Sequence, residues 1–135
     1  MKKHFQLLAI ISSIFLISCD PNELTLKVNN PDRIPFYLYQ LYDQYVSSIP
    51  NYWITDCSIN PPTSFNLMIG EGLGDERAVF NIFVPDGFVS LRIVHPDTVK
   101  KYPIETILSK HLTMCEYELS YDDLVSFGWE ITLFE

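Results

Sequence analysis

The side chains able to do chemistry in this chain of 135 residues are three cysteines, three histidines and seventeen acids. Nucleophilic catalysis needs a Ser or Cys beside a His that a carboxylate orients. His95, His111, Cys57 and Cys115 supply the residue types, yet no nucleophile elbow or other catalytic signature surrounds any of them. His95 and His111 are each alone in their neighbourhood, with no Cys or His at ligand spacing, so no metal site is expected. A glycosidase pair cannot be picked out among so many acids, and Glu71, Asp75 and Glu76 read as loop charges. Gly70, Gly72 and Gly74 alternate without opening a helix, which makes them a turn and not a phosphate cradle. The expectation is a non-enzyme that uses no cofactor.

Aromatic residues are the better lead to a site. Phe36, Tyr37, Tyr39, Tyr42, Tyr45, Tyr52 and Trp53 fall in one short stretch. Such rings bury a large area and tolerate one wet edge, so they suit cores and binding faces alike. Core packing accounts for most of them. Tyr42, Tyr45, Tyr52 and Trp53 flank or occupy the segment 43–50, where periodicity lapses, and binding residues concentrate on loops held by a rigid scaffold. These four are the candidate ligand-binding residues, for a sugar or a protein.

The elements that must position these side chains are mostly strands. Glu23-Leu24-Thr25-Leu26-Lys27-Val28-Asn29 alternates strictly, one face apolar and the other polar. Asn29-Asn30-Pro31-Asp32 has the chemistry of a turn. A second strand is expected over 34–42 with both alternating sets apolar or aromatic, so that one face is core and the other covered or sticky. Tyr52-Trp53-Ile54-Thr55 resumes a strand, and Pro61-Pro62 ends it. Further β-type runs over 65–69, 78–84 and 88–94 are divided by glycine- and proline-rich turns. Short strands at this spacing predict a mainly β fold, an antiparallel immunoglobulin-like or transthyretin-like sandwich.

Helices are expected only in the C-terminal third, as two short ones. Asp97 can cap a brief turn through Val99. Pro103 is tolerated at the start of a helix carrying Ile104, Ile107, Leu108 and His111 at i, i+3, i+4 and i+7. Ser120 with Asp123 resembles a capping box and opens a helix over 122–127, which Gly128 ends. Residues 115–119 and 129–133 alternate as strands, and the last is expected to bury Trp129, Ile131 and Leu133.

The N-terminus carries an export signal. Lys2-Lys3 precedes an apolar run from Leu7 to Ile17, followed by a small residue and Cys19. The run is too short for a membrane span, which needs about 20 apolar residues. Leu16-Ile17-Ser18-Cys19 resembles the lipobox of bacterial lipoproteins. That resemblance implies cleavage before Cys19 and at least a diacylglyceryl group on its sulfur, and two or more acyl chains anchor a protein stably. The lipid bilayer is then a partner through the Cys19 acyl chains, and the location is the cell envelope, outer membrane by expectation. Asp20 resembles the inner-membrane retention signal of enteric bacteria, whereas early acids in other Gram-negative groups accompany outer-membrane or surface display. The division is residues 1–18 as signal peptide, 19–22 as lipidated tether and 23–135 as a single β-sandwich domain.

With Cys19 lipidated, Cys57 and Cys115 remain in a compartment that permits disulfides. Two readings stand. They pair, constraining the unfolded chain by about 4 kcal/mol on the entropic model, or they are small buried hydrophobes.

Asp97-Thr98-Val99, Lys101-Tyr102, Tyr117-Glu118-Leu119-Ser120, Asp122-Asp123-Leu124 and Trp129-Glu130-Ile131 together resemble the C-terminal block of short Gram-negative envelope lipoproteins. The likeness covers about residues 89–135 and implies location and fold, with no activity. Those proteins usually carry a Ser-Trp pair where this chain has Pro103-Ile104. Asp97-Thr98-Val99 also resembles the three-residue O-glycosylation site of some exported Gram-negative proteins, although a helix cap explains the same acid.

The net charge of −8 becomes more negative once Lys2 and Lys3 leave with the signal. Nucleic acid is excluded as a partner, because its binding draws affinity from clustered Lys and Arg, and only Lys100-Lys101 are adjacent in the mature chain. The function expected is a membrane-anchored, non-catalytic envelope lipoprotein acting as an interaction or structural module. The alternatives are a glycan-binding surface module and an immunity-type lipoprotein whose acidity neutralises a basic toxin.

Overall fold

The computed structural model describes residues 21–42 and 51–135. The stretch expected to be a signal peptide, Cys19, the segment 43–50 and its Tyr45 lie outside the described residues. Among the described residues seven strands form two sheets: β1 Asn22–Asn29, β2 Phe36–Tyr42, β3 Asn51–Cys57, β4 Ser64–Gly72, β5 Phe88–Val94, β6 Cys115–Ser120 and β7 Glu130–Thr132. One sheet has the order β4-β1-β7 and the other β3-β2-β5-β6. The short helices that join the described strands are α1 Glu76–Phe83, α2 Pro96–Lys101, α3 Ile104–Ser109 and α4 Tyr121–Ser126.

The alternation in β1 puts Leu24, Leu26 and Val28 into the core that both sheets share, against Phe36 and Leu38 of β2, Leu67 and Ile69 of β4, and Leu91 and Ile93 of β5. The turn after β1 is organised by Asn30, fully buried, whose amide donates to the Ile34 carbonyl at 3.0 Å and whose oxygen accepts from the Ile34 N–H at 3.1 Å. Both polar ends are thereby satisfied, as a buried amide requires. The second apolar face of β2 is covered. Tyr39 joins Val94 of β5 and Ile107 of α3 in a separate cluster on the outer side of the four-stranded sheet, with Tyr37, Leu41, Val99 and Leu112 around it.

The structure corrects several expectations. The fold is not wholly antiparallel: β7 runs parallel to β1, pairing Val28 with Ile131. The run 78–84 is helical, because Asp75 caps it by accepting from the Ala78 N–H at 2.7 Å and Val79 and Phe80 fall on one buried face. The β-branched and aromatic residues of this run favour a strand, and the local cap overrides them. There are thus four helices among the described residues, three of them after residue 95, where two were expected. Gly70 and Gly72 belong to β4, and only Gly74 turns the chain, at φ +113°.

Two caps compare differently with their sequences. The Ser120–Asp123 capping box forms in full at the start of α4. At α2 the cap is His95, whose Nδ1 accepts from the Asp97 N–H at 3.1 Å, with Pro96 at the first helical position. Asp97 sits inside the helix and is not its cap.

Candidate functional site

β2 and β3 pair with Gln40 opposite Trp53 and Tyr42 opposite Asn51. Tyr42 and Trp53 therefore share one sheet face, the one that carries Phe36 and Leu38 into the core, at the end where the opposite sheet no longer covers it. Their ring centroids lie 5.7 Å apart with planes at 29°. Trp53 is 65 % exposed and Tyr42 38 %. The rings form an offset stack, the arrangement that the aromatic quadrupole favours, and not one coplanar plate.

Tyr52 does not join this pair. Successive strand residues point to opposite faces, so it turns to the outer cluster and meets Tyr39 edge-on, with centroids 5.5 Å apart. Burial, with the neighbouring Tyr52 and Tyr37 phenols, pushes the Tyr39 hydroxyl above its usual pKa. Of the four candidate residues, two come together at the surface, Tyr52 packs half-buried, and Tyr45 is outside the described residues.

Tyr42 also lines a narrow cleft with Gln40, Phe83, Pro85 and Phe88, at the end of the two sheets. Phe83 reaches this position by lying over Gly70. The cleft has a volume of about 30 Å³, far below the roughly 300–1,000 Å³ of a typical ligand pocket.

Cys57 and Cys115 are both free. They sit on β3 and β6, the two edges of the four-stranded sheet. Three strand spacings separate them, about 14 Å, whereas a bridge needs Cα atoms within about 7 Å. The pairing expected as one reading is not formed, because the strand order places β2 and β5 between them. Burial, and secondarily the nearby Asp56 carboxylate, raises the Cys57 thiol pKa. Burial also raises that of Cys115, against the lowering effect of a hydrogen bond to Tyr117. Burial and the Cys115 neighbour push the Tyr117 phenol up to about 12. Thiols held protonated in this way are poor nucleophiles.

A polar network that the sequence did not single out covers the outer face of β5 and β6. Arg92 stands opposite Glu116, and Ser90 opposite Glu118. The Arg92 guanidinium is 2.7 Å from Glu118 and 3.6 Å from Glu116, with only 12 % of its side chain exposed. His111 Nδ1 reaches Glu116 at 2.9 Å, Thr113 donates to the same carboxylate at 3.2 Å, and Ser90 donates to Glu118. Burial works to raise the Glu116 pKa, but the His111 hydrogen bond, Arg92 and Thr113 outweigh it and hold the carboxyl below its usual value. The polar alternation of Ser90 and Arg92, and of Glu116 and Glu118, was visible; that the two strands are neighbours was not. The Ser90 hydroxyl proton is engaged by a carboxylate and not by an imidazole, so the nucleophile–base contact of hydrolases is not made here.

Among the described residues no three His, Cys, Asp or Glu side chains gather where they could hold a metal ion, and no helix is long and apolar enough to cross a membrane. The chain matches no protein-family model, no curated protein and no solved structure.

Proposed function

We propose that the protein is a cell-envelope lipoprotein, held in the outer membrane by acyl chains on Cys19, that acts without catalysis as an interaction or structural module. The observation that carries this reading is the order of residues at the N-terminus: Lys2-Lys3, the apolar run to Ile17, then Ser18-Cys19. The surface through which it acts is the exposed Tyr42–Trp53 stack, since Tyr and Trp are the side chains most often found at the energetic centres of interfaces. The immunoglobulin-like or transthyretin-like assignment is part of the same proposal and rests on two sheets closing on one shared core.

The reading is tested by growing cells with a fatty-acid probe. The parent protein should be labelled and sediment with membranes, and Cys19→Ala should be unlabelled and accumulate as precursor or soluble protein. Labelling of the Ala variant at the parent's level overturns the proposal.

A further inference from the structure

We infer that the aromatic end of the two sheets rests on the bilayer itself, so that the partner of the Tyr42–Trp53 surface is the headgroup region of the membrane that holds Cys19. This rests on the lipoprotein reading and names the occupant of the same site. Asn22 follows Cys19 by three residues, so their Cα atoms can be no more than about 10 Å apart. Asn22 pairs with Gly72, and its side-chain amide donates to the Gly74 carbonyl. A lipid on Cys19 therefore holds the β4–α1 turn close to the membrane surface.

Exposed apolar side chains gather at that same end. Leu73 lies in the turn itself, and Ile82 and Phe83 stand at the end of α1. The Phe83 ring seated on Gly70 shares the cleft with Tyr42 and Phe88, and Tyr42 stacks on Trp53. Asn22, Gly70, Phe83, Tyr42 and Trp53 thus fall at one end of the molecule, Asn22 and Gly70 through the β1–β4 pairing, Phe83 and Tyr42 through the cleft they both line, and Trp53 through its stack on Tyr42. Trp and Tyr favour the membrane–water interface, where the ring is partly dehydrated and its polar edge stays wet. Phe and Leu add apolar area that an interfacial surface buries among the headgroups.

Charge sets the kind of bilayer. Glu71, Asp75, Glu76 and Asp86 flank this end of the molecule, and Arg77 beside them is paired with Asp122, so the acids set the local charge, which suits zwitterionic lipid and is repelled by an anionic surface. That repulsion falls off within a Debye length and weakens with added salt.

The chain has two tryptophans, Trp53 and Trp129. Trp129 is partly buried against Tyr121 and the core, which makes it an internal reference. The lipidated full-length protein is reconstituted into phosphatidylcholine vesicles containing lipid brominated near the headgroup end of its acyl chains. Trp129→Phe, which reports Trp53 alone, should lose emission and shift to the blue. Trp53→Phe should be unaffected. If Trp129→Phe fails to fold, the difference between the parent and Trp53→Phe gives the same reading. Quenching should weaken on phosphatidylglycerol vesicles at low salt and recover as salt is added.

Protein that is lipidated and vesicle-bound but whose Trp53 is not quenched overturns this inference and leaves the tether standing. Protein that carries no lipid overturns the tether first. A blue shift that grows with protein density without quenching also overturns the inference, because it assigns the surface to a second copy of the chain.

Discussion

A Cβ placed on Gly70 would come within 2.7 Å of the Phe83 ring and 2.9 Å of the Phe83 Cβ. The ring could rotate away, but the Phe83 Cβ is fixed by the α1 backbone, so the strand or the helix must move. This contact explains a glycine in the body of β4, where glycine otherwise weakens a strand. Gly70→Ala should destabilise by about 1–3 kcal/mol, the usual cost of forcing atoms into a packed site. Thermal or denaturant unfolding measures it, and a variant as stable as the parent contradicts the seating of α1 on β4.

Tyr52 and Trp53 are neighbours in sequence with opposite environments, and their truncations should separate. Tyr52→Ala removes an edge-on partner of Tyr39 in the outer cluster and should cost about 1–3 kcal/mol. Trp53→Ala removes a side chain that is 65 % exposed and should stay within about 0.5 kcal/mol of the parent. Equal losses of stability would mean that Trp53 is core and that the surface assigned to it does not exist.

The Arg92 network predicts a pH dependence with a definite sign. Glu116 has a native pKa below its ordinary value of 4.5, so the folded state favours the carboxylate. Its contribution is fully present above the ordinary value and is lost as the pH falls through the lowered native one. Glu116→Gln should therefore flatten the acid limb of the stability profile in that window. Arg92→Ala leaves two carboxylates without their cation and should destabilise by about 1–3 kcal/mol at pH 7. An acid limb unchanged in Glu116→Gln would remove Glu116 from the account.

Cys57 and Cys115 lie at opposite edges of one sheet, so the folded protein should keep both thiols even under oxidising conditions. Titration in denaturant without reductant should find both. In the native protein they should react slowly, because burial raises the pKa of each. Recovery of a Cys57–Cys115 bridged peptide would contradict the strand order.

What could be read from the sequence was what local chemistry decides. The strict alternation over 23–29 gives β1 and its buried face, and Ser120 with Asp123 gives the cap of α4. The two apolar faces of the second strand signalled a covered outer side, and α3 supplies the cover. Helix α1 runs against the strand preference of its own residues, and the one local signal for it is the cap at Asp75. The remaining errors needed knowledge of which strands are neighbours. The separation of Cys57 from Cys115 and the ion pairs of Arg92 with Glu116 and Glu118 follow from the order β3-β2-β5-β6, which no short stretch of sequence encodes. At the aromatic site the composition was legible, and period-two alternation alone would have divided Tyr52 from Trp53.

The proposed lipid anchor at Cys19 is tested by intact mass analysis of the N-terminal peptide purified from membranes. The account predicts a peptide that starts at Cys19, lacks residues 1–18 and carries a diacylglyceryl thioether on the cysteine sulfur. A peptide that still begins at Met1, or one cleaved elsewhere with an unmodified Cys19, would contradict it.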